Sequence, residues 1–241
     1  MGARVPSSRM AGAWRIEGYG RSLRGAELRV HLPARARRLL VAGLHGEEPE
    51  TVQLARAILD RVDAEDATCA IVLCANPDGV ADGTRQNARG VDLNRNFPAA
   101  SWRAGTTPSY PAGIDPALRV PANRTNTSST GGTPLSEPES AALAALVERL
   151  APALVLDLHA PLELVLTTHI VPDRIARDLA EAAGMELTSE LGSPVPGALR
   201  DWLGDRGIPC ITYEVEHAGL PSLHRRHLPG LVAFARAHNG V

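Results

Sequence analysis

The feature that most constrains the fold is the continuous apolar run at residues 39–44, Leu-Leu-Val-Ala-Gly-Leu, followed at once by His45-Gly46-Glu47-Glu48-Pro49. A run this long without a polar break suits a strand buried on both faces, as in parallel sheets covered by helices. Pro49 suits the first turn of a helix, where its missing N–H has no partner to lose. Apolar runs at 69–75, 153–158 and 209–215 repeat the pattern, and helix-period stretches lie between and after them at 49–62, 136–150, 172–183 and 223–238. This alternation predicts an α/β fold of three layers, α/β/α, with a mostly parallel central sheet. Without an internal repeat or a domain linker, residues 1–241 are expected to form one domain.

The remaining chain is less periodic. Residues 1–18 read as a loose lead-in, 26–31 as a half-exposed strand and 162–168 as a further strand. Asn76-Pro77-Asp78-Gly79 is a turn signal that stops the 69–75 strand. Ser136 and Glu139 have capping-box spacing, with Ser136 as N-cap of the 136–150 helix. A Gly/Pro loop at 192–197 precedes a short helix through Trp202. Residues 101–134, rich in Gly, Pro, Ser, Thr and Asn, predict a long loop, and whether it forms a lid is left open.

Composition removes several function classes. Aromatic residues make up only 3% of the chain, so the core must be mostly Ala, Val and Leu. A net charge of −2 gives no reason to expect a nucleic-acid partner. All basic residues are Arg, which excludes a Schiff-base or P-loop lysine. The three cysteines, Cys69, Cys74 and Cys210, are odd in number and lie in apolar runs, so they read as buried free thiols. No run is long enough to span a membrane, and the first residues lack the apolar core of a secretory signal, so a cytoplasmic protein is expected.

Three runs deliver polar residues at their C-terminal ends, the edge where ligands bind in open α/β sheets. These are His45 with Glu48, His159 after Val155-Leu156-Asp157-Leu158, and Glu214 after Ile211-Thr212-Tyr213. His45, Glu48 and His159 make a set of two imidazoles and a carboxylate, and hydrolytic zinc sites use three protein ligands, leaving a fourth position for water. His45, Glu48 and His159 are thus candidate ligands for one Zn²⁺ per chain. Glu214 sits in a buried strand, where a carboxylate is costly unless paired or coordinated, and is placed to act as a general base.

With the block Arg85-Gln86-Asn87-Ala88-Arg89-Gly90-Val91-Asp92-Leu93-Asn94-Arg95-Asn96-Phe97-Pro98, the pattern becomes specific. His45-x-x-Glu48, Asn76-Pro77-Asp78-Gly79, Gly-Val-Asp-Leu-Asn-Arg-Asn-Phe, the strand ending in His159 and Thr212-Tyr213-Glu214 follow the order seen in zinc carboxypeptidases of the M14, carboxypeptidase A-like, family. Tyr19-Gly20-Arg21-Ser22-Leu23-Arg24-Gly25 resembles the same family's N-terminal element, so the resemblance spans about residues 19–235. It implies that His45, Glu48 and His159 hold zinc and that Glu214 is the base and proton shuttle. It also implies that Asn94 and Arg95 clamp a substrate carboxylate, a task that suits the bidentate guanidinium. Arg85, with Arg89 close enough in sequence to compete for the role, would stabilise the oxyanion. Asp92 would orient His45.

Within that family, the short length and His159-Ala160-Pro161-Leu162 most resemble the murein peptide amidase A group. The resemblance implies hydrolysis of an amide bond next to a free carboxylate, releasing diaminopimelate from γ-D-glutamyl-diaminopimelate in small cell-wall peptides. Gly197-Ala198-Leu199 and Val215-Glu216-His217 depart from that group's Gly-Ser-Leu and Leu-Pro. Glu216 is expected either to meet a cationic substrate group or to face water. No substrate-capping tyrosine can be assigned: Tyr213 should point away from Glu214, and Tyr110 lies in the long loop. Rival readings are an aspartoacylase-like deacylase of N-acyl amino acids and a non-catalytic peptide-binding module. Oligomeric state is left open.

Overall fold

The apolar runs divide their side chains between two cores, one on each face of a sheet. The computed structural model describes residues 13–109, 127–168, 170, 173–190 and 195–236. Its strands are β1 (Arg15–Arg21), β2 (Glu27–Leu32), β3 (Arg38–Val41), β4 (Cys69–Val72), β5 (Thr106–Pro108), β6 (Thr127–Ser129), β7 (Leu154–His159), β8 (Leu164–Thr167), β9 (Glu186–Thr188) and β10 (Cys210–Glu214). Its helices are α1 (Pro49–Leu59), α2 (Pro77–Asp82), α3 (Pro138–Leu150), α4 (Asp173–Ala183), α5 (Leu199–Asp205) and α6 (Leu220–Arg236). The main sheet has eight strands in the order β1-β2-β4-β3-β7-β10-β8-β9. Its central four, β4-β3-β7-β10, are parallel, and β2 and β8 flank them antiparallel.

Period-2 alternation explains the two cores. Leu40, Ile71, Leu156, Leu158, Ile211 and Tyr213 pack on one face, against Leu54 and Ile58 of α1, Leu179 of α4 and Leu231 of α6. Leu39, Val41, Val72, Val155 and Cys210 pack on the other, against Leu143 and Val147 of α3 and Leu199 and Trp202 of α5. Each fully buried Leu or Ile contributes about 1.5–3 kcal/mol, so continuous runs are what a sheet covered on both faces requires. Cys69 and Cys210 are buried free thiols, as expected, while Cys74 is only half-buried. No helix among the described residues is long and apolar enough to cross a membrane.

Four expectations need correction. The lead-in at 1–18 contains the start of β1, an edge strand paired only with β2; its half-exposed Arg-Ile-Glu-Gly-Tyr-Gly-Arg sequence carries no clean alternation. Residues 1–12 lie outside the described residues, as do 110–126, which include Tyr110 and much of the 101–134 loop. Asn76-Pro77-Asp78-Gly79 is a helix start: Asn76 Oδ1 accepts the Gly79 N–H at 2.9 Å, with Pro77 in the first turn of α2. The N-cap of α3 is Glu137 and not Ser136. There Asn96 Oδ1 accepts the Glu137 N–H at 3.2 Å, while Glu139 is turned inward to accept the Leu23 N–H and Asn87 Nδ2. Inside the stretch read as aperiodic, β5 and β6 form a two-stranded sheet, and β9 was not anticipated at all.

Candidate metal and substrate site

The parallel register carries His159 and Glu214 to the same place. They are Cα partners at the ends of β7 and β10, and alternation turns both to one face together with Asp157 and Thr212. Tyr213 points the other way, into the α6-side core, as predicted. His45 and Glu48 arrive from the turn between β3 and α1. Gly46 lets this turn press on α2, because a Cβ there would collide with the Gly79 carbonyl carbon. Ser22 Oγ and the Arg24 N–H both bond the Asp78 carboxylate, so the Gly-Arg-Ser and Asn-Pro-Asp-Gly elements meet beside the same turn.

The donor atoms of His45, Glu48 and His159 form a tight triangle. Glu48 Oε1 lies 2.7 Å from His45 Nδ1, Glu48 Oε2 lies 3.0 Å from His159 Nδ1, and the two Nδ1 atoms are 3.1 Å apart. All three residues are buried and could hold one metal ion. The far ring nitrogens face carboxylates: His45 Nε2 is 3.1 Å from Asp92 Oδ1, and His159 Nε2 is 2.9 Å from Asp157 Oδ2. Donation from each Nε2–H leaves the Nδ1 lone pairs facing Glu48, the arrangement that a divalent cation bound by imidazole requires. Two nitrogens and one carboxylate fit zinc. Asp157 was passed over in sequence, although a charged residue inside a buried strand, two before His159, was itself the signal.

Electrostatics follows burial and partners. Burial raises the Glu214 carboxyl, pushing it up to about 7. Burial works the same way on Asp92 and Glu48, but there neighbouring charge wins. Arg85, His45 and Arg95 hold Asp92 well below the usual carboxylate range, and His45 and His159 hold Glu48 down. For His159, burial opposes protonation, yet Asp157 and Glu48 raise it well above the usual imidazole range.

The Arg-rich block folds around buried Asp92. Asp92 Oδ2 accepts Arg85 Nε at 2.8 Å, and Oδ1 accepts the Asn94 N–H at 2.9 Å. Arg85, Asn94 and Arg95 line one cavity with His45, Glu48, His159 and Glu214. Arg89 does not; it is exposed and pairs with Glu137, which separates the two candidate arginines. Arg95 is 3% exposed, donates to the Asn94, Pro108 and Ser109 carbonyls, and has its pKa pushed down to about 10 by burial. A substrate carboxylate beside it would relieve that desolvation. Asn94 Oδ1 accepts the Leu199 N–H at 2.8 Å, tying the block to α5, and Phe97 stacks on Trp202 with centroids 5.5 Å apart.

Through α5 the cavity gains Arg200, which sequence reasoning missed because an arginine after Gly197-Ala198-Leu199 looks like a solvated helix residue. Its Nε and Nη2 bond Asp201, while Nη1 is buried without a hydrogen-bond partner among the described residues. Glu216 neither lines this cavity nor faces water alone. It turns toward α6, where its Oε2 meets His227 Nε2 at 2.7 Å and Arg226 Nη1 at 3.2 Å. The alternation that places Glu214 stops with β10, so it no longer governs Glu216.

A covered parallel sheet with two histidines, a glutamate and a further buried carboxylate at its C-terminal edge defines a metallohydrolase-type site. Residues 19–191 match the family described as zinc carboxypeptidase, peptidase M14, and the chain belongs to that family of hydrolases. A murein peptide amidase A of Escherichia coli K12 is 35% identical over 226 residues, covering 92% of this chain and 90% of its own length. One from Vibrio campbellii is 31% identical over 90% of this chain and 85% of its own length. The crystal structure of a murein-tripeptide amidase from Escherichia coli O157 superposes with a TM-score of 0.84 at 34% identity, covering 99% of this chain and 98% of the other.

Proposed function

We propose that the chain is a zinc-dependent amidase acting on murein peptides, hydrolysing the amide bond that joins γ-D-glutamate to diaminopimelate. The carrying observation is one cavity that combines a His-Glu-His donor set, a separate buried carboxylate and buried guanidinium groups. His45, Glu48 and His159 would hold zinc, which when bound polarises a carbonyl and acidifies water. Glu214 takes the water proton and delivers it to the leaving amine; a carboxylate with a raised pKa is suited to both halves of that exchange. Arg85 faces the carbonyl oxygen as charge develops on it. Asn94 and Arg95 bind the free carboxylate beside the scissile bond. Diaminopimelate carries a second carboxylate on its side chain, and the buried Nη1 of Arg200 is suited to receive it. The amidase relatives, which align along about nine-tenths of this chain, weigh against the deacylase and non-catalytic readings.

The test is incubation of zinc-loaded protein with L-alanyl-γ-D-glutamyl-meso-diaminopimelate, with mass-spectrometric detection of free diaminopimelate. Release that a chelator abolishes is expected. Intact peptide after incubation with protein that demonstrably carries zinc overturns the reading.

A further inference from the structure

The chain that leaves β7 after His159 holds both buried acids of the site by its backbone. The Ala160 N–H donates to Glu48 Oε2 at 3.3 Å, and the Leu162 N–H donates to Glu214 Oε2 at 3.3 Å. Ala160, Pro161 and Leu162 also line the cavity. The next residue, Glu163, sits at φ 59, a left-handed conformation that a residue with a side chain adopts only when its surroundings hold it there.

What holds it lies on the opposite side of the sheet from the chemistry. Arg226 of α6 donates from Nη1 to Glu163 Oε1 at 2.5 Å, and the same Nη1 lies 3.2 Å from Glu216 Oε2. Its Nε and Nη2 bond the Ala183 and Gly184 carbonyls, at 2.8 and 3.3 Å, which fixes the guanidinium against the end of α4. Glu216 in turn meets His227 Nε2, and His227 Nδ1 is 3.0 Å from the Tyr213 hydroxyl. One guanidinium therefore joins the segment leaving β7 to the segment leaving β10. The two strands that deliver His159 and Glu214 are stitched together just beyond those residues.

We propose that Arg226, acting through Glu163 and Glu216, is a positioning residue for hydrolysis: it fixes the 160–163 segment so that its N–H groups hold Glu48 and Glu214 in working orientation. This rests on the hydrolase reading above. The side chains of the Arg226–Glu163 pair are 28% and 36% exposed, so the pair adds little to folding and acts chiefly through geometry. Small misplacement of a reacting group costs rate without costing binding.

The test compares Glu163→Gln, Arg226→Leu, Arg226→Lys and the Glu163→Gln/Arg226→Leu double variant by steady-state kinetics and amide hydrogen exchange. Glu163→Gln and Arg226→Leu are each expected to lower kcat about tenfold with KM within about twofold, because the Asn94–Arg95 clamp is untouched. The double variant should be little worse than either single variant, and Arg226→Lys should recover most of the loss. The amides of Ala160, Leu162 and Glu163 should exchange about tenfold faster in both single variants, whether or not substrate turns over. Glu163→Gln keeps the carbonyl bonds of Arg226, so it remains informative should Arg226→Leu not fold. Unchanged exchange at Ala160, Leu162 and Glu163, or wild-type kcat in Glu163→Gln, overturns the inference. Failure of the wild-type protein to release diaminopimelate counts against the proposed substrate, and the exchange result then decides alone whether Arg226 fixes the 160–163 segment.

Discussion

The cavity is filled from two sides by different kinds of architecture. His159 and Glu214 are placed by strand register: their backbones are locked in the centre of an eight-stranded sheet, and alternation alone decides which way they face. Arg85, Asn94 and Arg95 are placed by irregular chain wound around buried polar anchors. Asp92 draws in Arg85 and Asn94, while Asn96 bonds the Thr130 and Thr133 carbonyls, Ser136, Ser140 and the Glu137 N–H. In the first region side-chain geometry follows from backbone pairing. In the second, backbone geometry follows from side-chain pairing. The first region should therefore tolerate side-chain substitution structurally while losing chemistry outright, and the second should lose structure and binding by degrees.

His159→Ala is expected to have the largest effect, reducing activity to background and abolishing metal retention, measured by hydrolysis assay and metal analysis after dialysis. Secondary structure by circular dichroism should stay intact; its collapse would break the distinction drawn here. Glu214→Gln comes next, with kcat down about 10²- to 10⁴-fold and metal content preserved. The proposed role of Glu214 requires the ionised carboxylate, so the rate should fall as pH drops below its pKa. Burial sets that pKa at about 7, and a neighbouring cation favours the carboxylate, so the acid limb of the loaded enzyme should lie below pH 7. A pH–rate profile without such a limb would remove Glu214 from the role.

Asp92→Asn tests the point where the two regions touch, since Asp92 both orients His45 and anchors the loop. Metal affinity should fall about 10- to 100-fold, measured by chelator competition, with a parallel rise in KM. A change in metal affinity alone would show that the loop has other sufficient anchors. Asn96→Ala is expected to affect the chemistry least. Loss of buried partners should cost about 2–4 kcal/mol of folding stability in denaturant titration, while metal affinity stays near wild type.

The same contrast explains how much could be read from residues alone. That His45, Glu48, His159 and Glu214 meet at one edge of the sheet was legible because each follows or ends an apolar run whose period fixes its face. The sheet's parallel centre was legible for the same reason. Edge strand β1 was not, because exposed pairing leaves no hydrophobic trace and its stability comes from backbone bonds to β2. Nor was the role of Asn96 or Glu139, whose partners lie some forty and more than a hundred residues away, so the apparent capping box at 136–139 was overridden by tertiary bonds. Glu216 was misjudged because its partners, His227 and Arg226, lie on α6, which no local pattern around residue 216 reveals. Arg200 was missed because a helix in a sequence does not reveal which of its faces borders a cavity.

The contact between Gly46 and Gly79 has an implication for how such a site can be altered. A Cβ on Gly46 would strike the Gly79 carbonyl, and one on Gly79 would strike the Asn76 side chain and the Gln86 carbonyl, so the turn that carries His45 and Glu48 and the start of α2 vary as interlocked parts. A mutational library meant to retarget the cavity should hold both glycines constant and place its diversity at the lining positions Leu166, Val195, Ala198 and Arg200. Libraries that randomise residues 45–49 or 76–80 would spend most of their members on steric conflict before any new specificity could be sampled.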